Sequence, residues 1–444
     1  MTSDISGDWN GLLDTGSIRV RLAFRLEPIG RTGTVWLRTR AQGVLALPLV
    51  RRGARLRFEA PSLDISLDLA PDPSGERLVG TCSSSSTAFP VTFERGLPLA
   101  EPRVPRAQTP APPFPYETRA VGFSAADGSR LVGTLTLPPN GAPHGAVVLS
   151  TWHGRVDRDQ TTAGHRPFAI WADALTRLGL ATLRYDKRGA GGSEGDFDRT
   201  TTADSAADLV RAVDFLRAQA RIDPDRVGLI GHSEGAHISA DVAAADRRIA
   251  FCVLLTPAGV PEEDFLETEL FRAAAAVGGR PLRPARSVQF VLALSAAAKT
   301  ATTDRDAMAR VREVLMREVA AGRFPKDRVA FHAPIAASPW RRHWLNHDHT
   351  KSLRALVCPT LVVFAGRDLQ APPVHQAPSV RAALSANPLA RIVELPDLNH
   401  FLQRAVTGAP SEYAAIEQSL APEAVETVCD WVSSVGAAAA LSAL

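Results

Sequence analysis

The feature that most restricts the fold is a change of period partway along the chain. Between residues 17 and 100 apolar side chains recur at every second position: Ile18, Val20, Leu22, Phe24 and Leu26 alternate with Arg19, Arg21 and Arg25, and Leu63, Ile65, Leu67 and Leu69 with Asp64, Ser66 and Asp68. Successive side chains of a strand point to opposite faces, so this is the pattern of half-buried antiparallel strands. The segment from Glu101 to Glu117, "EPRVPRAQTPAPPFPYE", is then too rich in proline for a helix or a central strand and reads as an extended linker. After it the pattern becomes one of apolar strands alternating with amphipathic helices. "HGAVVLSTWHG", "LATLRYDKRG", "DRVGLIGHS" and "IAFCVLLTPAG" read as strands, with "FAIWADALTRLG", "TTADSAADLVRAVDFLRAQA" and a segment from near Glu234 as the intervening helices. A mostly parallel sheet with crossover helices requires this order.

The alternation breaks from Val260 to about Leu345, where Ala-rich and charged helical stretches carry no clear strand. It resumes at "PTLVVFAGRD" and "ARIVELPDLNH", and a last helix covers "APEAVETVCDWVSSV". The expected organisation is a β-rich domain over residues 1–100, a linker over 101–117 and an α/β domain over 118–444 with a helical cap inserted at about 260–345. Nothing in the β-rich region forms a recognisable catalytic set, and its role as support, self-association surface or part of a substrate entrance stays open.

Composition narrows the partners. With 45% hydrophobic and 22% charged residues the chain is that of an ordinary globular protein. Its 50 basic and 47 acidic residues are dispersed, with no run that could track a phosphate backbone, so no nucleic-acid partner is expected. Only Lys187, Lys299, Lys326 and Lys351 are lysines, an arginine bias typical of a GC-rich bacterial genome. Cys82, Cys252, Cys358 and Cys429 are scattered without C-x-x-C spacing, as suits a reducing compartment. The start, "MTSDISGDWNGLL", lacks a basic region followed by an apolar run, and no later stretch approaches the roughly 18 apolar residues of a membrane span. A cytoplasmic protein with no membrane partner is expected, with self-association left open.

Chemistry concentrates at "RVGLIGHSEGAHISA". Gly231-His232-Ser233-Glu234-Gly235 fits a sharp strand-to-helix turn, where small residues on both sides let the backbone lift Ser233 above the sheet edge. A serine hydroxyl needs an imidazole to take its proton and a carboxylate to hold that imidazole in the useful tautomer. Asp368, ending "VVFAGRD", and His400, in "LPDLNHFLQ", stand at the C-terminal ends of later strands, where open α/β sheets place functional groups. The order Ser233, Asp368, His400 is that of α/β-hydrolases rather than of the chymotrypsin or subtilisin folds. Oxyanion donors are expected from the N–H of Glu234 and from the loop "STWHGRVDRD", at Gly154 or His153.

Two other clusters are set aside. His343, His347 and His349 with Asp348 in "WRRHWLNHDH" include an i, i+4 pair able to share a helical face, but no H-E-x-x-H order follows, so no metal is expected. "RGAGGSEG" from Arg188 lacks a phosphate-loop order and reads as a structural loop that Asp186 and Arg188 support through ionic hydrogen bonds.

With these residues placed, the chain resembles the α/β-hydrolase superfamily and, within it, two-domain bacterial serine esterases of the EstD type. The resemblance runs along nearly the whole chain. It rests on "GDWNGLL", the "DRD" of Asp157 to Asp159, "YDKRGAGGSEG", "GHSEG", "WRRHWLNHD" before "CPTLVVFAGRDLQAPP", and "LPDLNHFLQ" leading to "EYAAIEQSLAPEAVETVCDWV". It implies hydrolysis of a small carboxylic ester through an acyl-enzyme, with no cofactor. Where similar proteins read Gly-Ser-Gly-Pro-Gln-Asp-Arg-Asp, this chain has Trp152-His153-Gly154-Arg155-Val156-Asp157-Arg158-Asp159. Trp152 and His153 are therefore expected to shape the substrate pocket. The same triad also serves thioester, peptide, lactone or C–C hydrolysis and acyl transfer, and a non-catalytic binding protein is the rival from another class.

Overall fold

The computed structural model describes residues 5–14, 19–26, 32–39, 43–52, 55–60, 65–84, 87–96, 106–139, 141, 143–261, 264, 284–324 and 326–442. Ile18, Leu63, Asp64, residues 101–105 of the proline-rich segment and residues 265–283 of the expected cap lie outside these. Two compact units emerge. One contains the described residues within Met1–Pro105 and Ala296–Ala337, the other those within Arg106–Ala276, Leu282–Ser295 and Ser338–Leu444.

In the first unit the period-two stretch forms a closed barrel of eight strands in sequence order: β1 (Gly7–Asp14), β2 (Arg19–Leu26), β3 (Thr32–Thr39), β4 (Gly43–Arg52), β5 (Arg55–Ala60), β6 (Ile65–Pro71), β7 (Arg77–Ser84) and β8 (Thr87–Arg95). Every neighbouring pair is antiparallel, and β1 closes on β8 with Trp9 opposite Arg95. Closure removes the unpaired edges an open sheet would present. Apolar side chains fill the interior: Trp9, Leu22, Phe24, Phe58, Leu67, Leu69 and Phe93 are buried, and Phe24 packs against Phe58 and Phe93 at ring-centroid distances of 5.0 and 4.8 Å. Gly80 is required by contact, since a Cβ there would lie 1.9 Å from the carbonyl oxygen of Asp68.

Helical residues distant in sequence belong to this unit as well. The helices at Asp304–Ala320 and Val329–Ala336 are included, and Arg328 donates to the carbonyl oxygen of Ser83 at 3.1 Å. The expected cap segment is thus divided between the two units, an outcome that no local pattern announces.

The second unit is built on an eight-stranded sheet: β9 (Glu117–Ser124), β10 (Arg130–Leu137), β11 (His144–Ser150), β12 (Ala181–Tyr185), β13 (Ile222–His232), β14 (Ile249–Leu255), β15 (Thr360–Ala365) and β16 (Ala390–Leu395), in the spatial order β16-β15-β14-β13-β11-β12-β10-β9. Only β10 runs against the rest, pairing antiparallel with β9 and β12. The helices of this unit are α1 (Pro167–Arg177), α2 (Thr202–Arg217), α3 (Glu234–Ala245), α4 (Pro284–Lys299, whose last turn passes into the first unit), α5 (Pro339–Asn346), α6 (Lys351–Ala355), α7 (Pro373–Leu384) and α8 (Pro422–Ser442). Both faces of the sheet are covered, by one apolar layer with Leu209, Leu216, Ile238 and Val380 and another with Trp171, Leu175, Val428 and Trp431. Strands covered on both faces read as largely apolar runs, and β11 and β15 are buried at every position. The architecture is that of an α/β-hydrolase fold preceded by a small β-rich domain.

The described part of the proline-rich segment does not hang free. Arg106 donates through Nη2 to the carbonyl oxygens of Ala163 and Ala414, both at 2.9 Å, and the Gln108 amide exchanges hydrogen bonds with the backbone of Ser419 and Leu420.

Candidate active site

Strand β13 enters a tight turn after Gly231, and α3 begins at Glu234. Ser233 sits between them at φ 58°, ψ −118°, a conformation non-glycine residues rarely adopt and one associated with functional turns. The flanking glycines are dictated by close approach: a Cβ on Gly231 would meet Gly235 O at 2.0 Å, and one on Gly235 would meet Ser150 O at 2.0 Å. The turn is thereby pressed against the end of β11, and Ser233 N–H donates to Leu255 O at the end of β14. As the first residue of α3, Glu234 has a backbone N–H without an intrahelical acceptor.

Asp368 and His400 follow β15 and β16 and meet in the interior. His400 Nδ1 lies 2.7 Å from Asp368 Oδ2, while Asp368 Oδ1 accepts from the N–H groups of Gln370 and Ala371 at 2.7 and 2.9 Å. With both oxygens engaged the carboxylate cannot rotate away, and the imidazole keeps its Nδ1 proton toward it. A further support comes from His232, whose Nε2–H donates to the carbonyl oxygen of His400 at 2.8 Å. Burial, together with neighbouring His400, pushes the His232 imidazole down to about 3, so it is neutral and acts as a fixed strut.

The loop after β11 carries the residues expected to shape a pocket. Trp152 stacks on Phe401 at 4.6 Å and meets the His232 ring edge-on at 5.3 Å. His153 stacks on Trp340 of α5 at 3.4 Å, and desolvation pushes its imidazole down to about 4. Gly154 has φ 131°, in the region that favours glycine. Sequence reading missed what holds this loop in place. Lys187 Nζ donates to Trp152 O at 3.0 Å and to Glu234 Oε2 at 2.9 Å, so one ammonium bridges the loop and the helix start. Glu234 also accepts from Thr202 Oγ1 at 2.8 Å and from Trp340 Nε1 at 2.6 Å. Burial opposes ionisation of Glu234, but the Lys187 charge and these hydrogen bonds outweigh it and hold the carboxyl below its usual range. No local pattern marks the pair, since Lys187 stands between Asp186 and Arg188 and Glu234 between Ser233 and Gly235.

Farther along the same loop Arg158 makes a bidentate contact with Asp186, through Nε at 3.0 Å and Nη2 at 2.7 Å. Asp186 also accepts from Gly192 N–H at 2.8 Å, and Arg188 forks onto Asp208 of α2 at 2.7 and 2.6 Å. The glycine-rich loop is therefore a structural element tied down by ionic hydrogen bonds. In the segment after α5, His347 and His349 meet His237 of α3, a residue the sequence patterns did not single out, while His343 lies outside that group.

The chain is similar to several known proteins. Esterase EstD of Thermotoga maritima is 26% identical over 272 residues, covering 61% of this chain and 58% of its own length. The uncharacterized protein Rv2307c of Mycobacterium tuberculosis is 34% identical over 140 residues, 31% of this chain and 45% of its own. These curated relatives are thus matched over less than two thirds of their lengths. Among solved structures, the esterase Pf2001 of Pyrococcus furiosus is 14% identical, with 72% of this chain and 92% of that one covered at a TM-score of 0.42. Residues 127–384, more than half of the chain and including Ser233 and Asp368, match the X-Pro dipeptidyl-peptidase (S15) family. The chain belongs to that family.

Proposed function

We propose that the protein is a serine hydrolase of the two-domain EstD type that cleaves carboxylic esters through an acyl-enzyme. The observation that carries this reading is the buried Asp368–His400 pair, with Ser233 held at positive φ at the end of β13 in the same sheet. In the proposed reaction His400 Nε2 takes the proton of Ser233 Oγ as that oxygen attacks the ester carbonyl. Asp368 orients the imidazole and stabilises the imidazolium that forms. The alcohol departs with the proton from His400, which then activates water to release the acid. The oxyanion is assigned to the N–H of Glu234 and a second donor at Gly154 or His153. Because Lys187 binds Trp152 O, the trans peptide between Trp152 and His153 turns its N–H the opposite way, away from the ammonium. Trp152 and His153, braced by Phe401 and Trp340, are assigned to the wall of the substrate pocket. His153→Ser and Trp152→Gly are expected to change selectivity among acyl groups, and unchanged selectivity would refute this role.

A second reading has its own support. The matched family is described as X-Pro dipeptidyl-peptidases, which favours cleavage of a peptide bond after proline by the same triad. One experiment separates the two: turnover of p-nitrophenyl esters of increasing acyl length beside alanyl-prolyl-p-nitroanilide, with Ser233→Ala as background. Serine-dependent ester turnover with an inert anilide supports the esterase. The reverse result establishes the peptidase, and labelling of Ser233 by a fluorophosphonate without turnover of either points to a specialised acyl substrate.

A further inference from the structure

One turn beyond Ser233 on α3, the buried ring of His237 faces two histidines from the segment that follows α5. One ligand nitrogen of His237, of His347 and of His349 lies within 4.8 Å of each of the others. Their ring centroids are separated by 5.8 Å (His237 to His347), 5.0 Å (His237 to His349) and 5.2 Å (His347 to His349). We propose that these three imidazoles form a binding site for one divalent transition-metal ion of the zinc class.

The backbone arranges the pair from the second segment. His347 terminates α5 in an extended conformation, φ −76° and ψ 129°, and in extended chain residues two apart share a face. Asp348, between them, is occupied in the turn: it accepts from Thr350 N–H and Oγ1 at 2.9 and 2.8 Å and from Arg354 at 2.7 Å. Asp348 is therefore scaffold, and the donor set is three imidazole nitrogens. Trp344 walls the group, its ring 4.5 Å from that of His349 and edge-on to His237 at 5.2 Å.

Ligand chemistry follows from that set. An all-nitrogen site suits Zn²⁺, Co²⁺, Ni²⁺ or Cu²⁺ and not Mg²⁺ or Ca²⁺, which take oxygen. Three protein ligands leave a fourth tetrahedral position for water. A metal needs neutral imidazoles, and burial, reinforced by facing His349 and His347, holds His237 well below its ordinary value. His237 Nε2 accepts from Ala258 N–H at 3.1 Å, so its lone pair is on Nε2 and coordination through that nitrogen exchanges this hydrogen bond for the metal. The ion would tie the helix that starts at the nucleophile turn to the segment after α5, whose Trp340 binds Glu234.

The test uses the full chain, dialysed against a chelator and titrated with Co²⁺ alone while visible absorption is recorded. Zn²⁺ is then added in competition. One equivalent of Co²⁺ with a four-coordinate spectrum, displaced by Zn²⁺, is expected. His347→Ala and His349→Ala should each abolish that binding, whereas His343→Ala should leave it intact. His237→Gln, checked for folding by circular dichroism, should also abolish it. Absence of stoichiometric binding to the native chain, or binding that survives the paired His347→Ala and His349→Ala changes, would overturn the site.

Discussion

The interior of the barrel and the C-terminal edge of the parallel sheet are both buried, yet they are built from opposite materials. Inside the barrel Trp9, Phe24, Phe58 and Phe93 pack against aliphatic side chains. At the sheet edge Asp186, Lys187, Glu234, Asp368 and His400 are each less than a tenth exposed. An apolar interior stabilises by excluding water, whereas burying a charge is unfavourable unless partners are fixed around it. The sheet edge meets that requirement with the Lys187–Glu234 and Asp368–His400 pairs, the groups on which the proposed chemistry rests.

The largest expected break in this comparison is Ser233→Ala, which should reduce turnover about 10⁶-fold while leaving the unfolding midpoint near that of the native chain. Retained activity would remove the nucleophile assignment. Asp368→Asn should reduce kcat about 10⁴-fold, because an amide in place of the carboxylate favours the wrong imidazole tautomer. The opposite signature belongs to the barrel. Phe58→Ala should cost about 3–5 kcal/mol of stability in denaturant unfolding of that unit, with kcat per folded molecule unchanged.

Lys187→Met sharpens the comparison, since it strands a buried carboxylate and releases Trp152 O together. A fall of about 10²-fold in kcat is expected with KM nearly unchanged, and adding Glu234→Gln should recover stability but not rate. A full recovery of rate would show that Lys187 serves stability alone. A further effect is in pH. His153 and His165, held near 4 by burial, take up protons in the unfolded chain before the folded one as pH falls from 6.5. Stability should therefore be complete above pH 6.5 and decline toward pH 4, and a flat thermal midpoint across that window would contradict it.

How much was legible depended on whether the signal was local. The alternation in Arg19–Leu26 revealed strands because one face of each is buried, but it did not reveal that eight of them close on themselves, since closure depends on β1 meeting β8. The turn around Ser233 was legible because its two glycines are forced by atoms only a few residues or one strand away. His232 as a strut for His400, and His237 as a companion of His347 and His349, were not. Each partner lies more than a hundred residues off, and a lone histidine carries no mark of what it will face.

By itself, then, the sequence determined the period of each element, the positions of Ser233, Asp368 and His400 at strand ends, and the residues able to survive a sharp turn. These follow from local sterics and from the burial pattern along one strand or helix. Only the tertiary structure decided that Lys187 would join Trp152 to Glu234, that residues 296–337 would belong with the barrel, and that His237 would meet His347 and His349 one helical turn beyond Ser233. Those outcomes are contacts between distant segments, set by how helices and strands pack once they have formed.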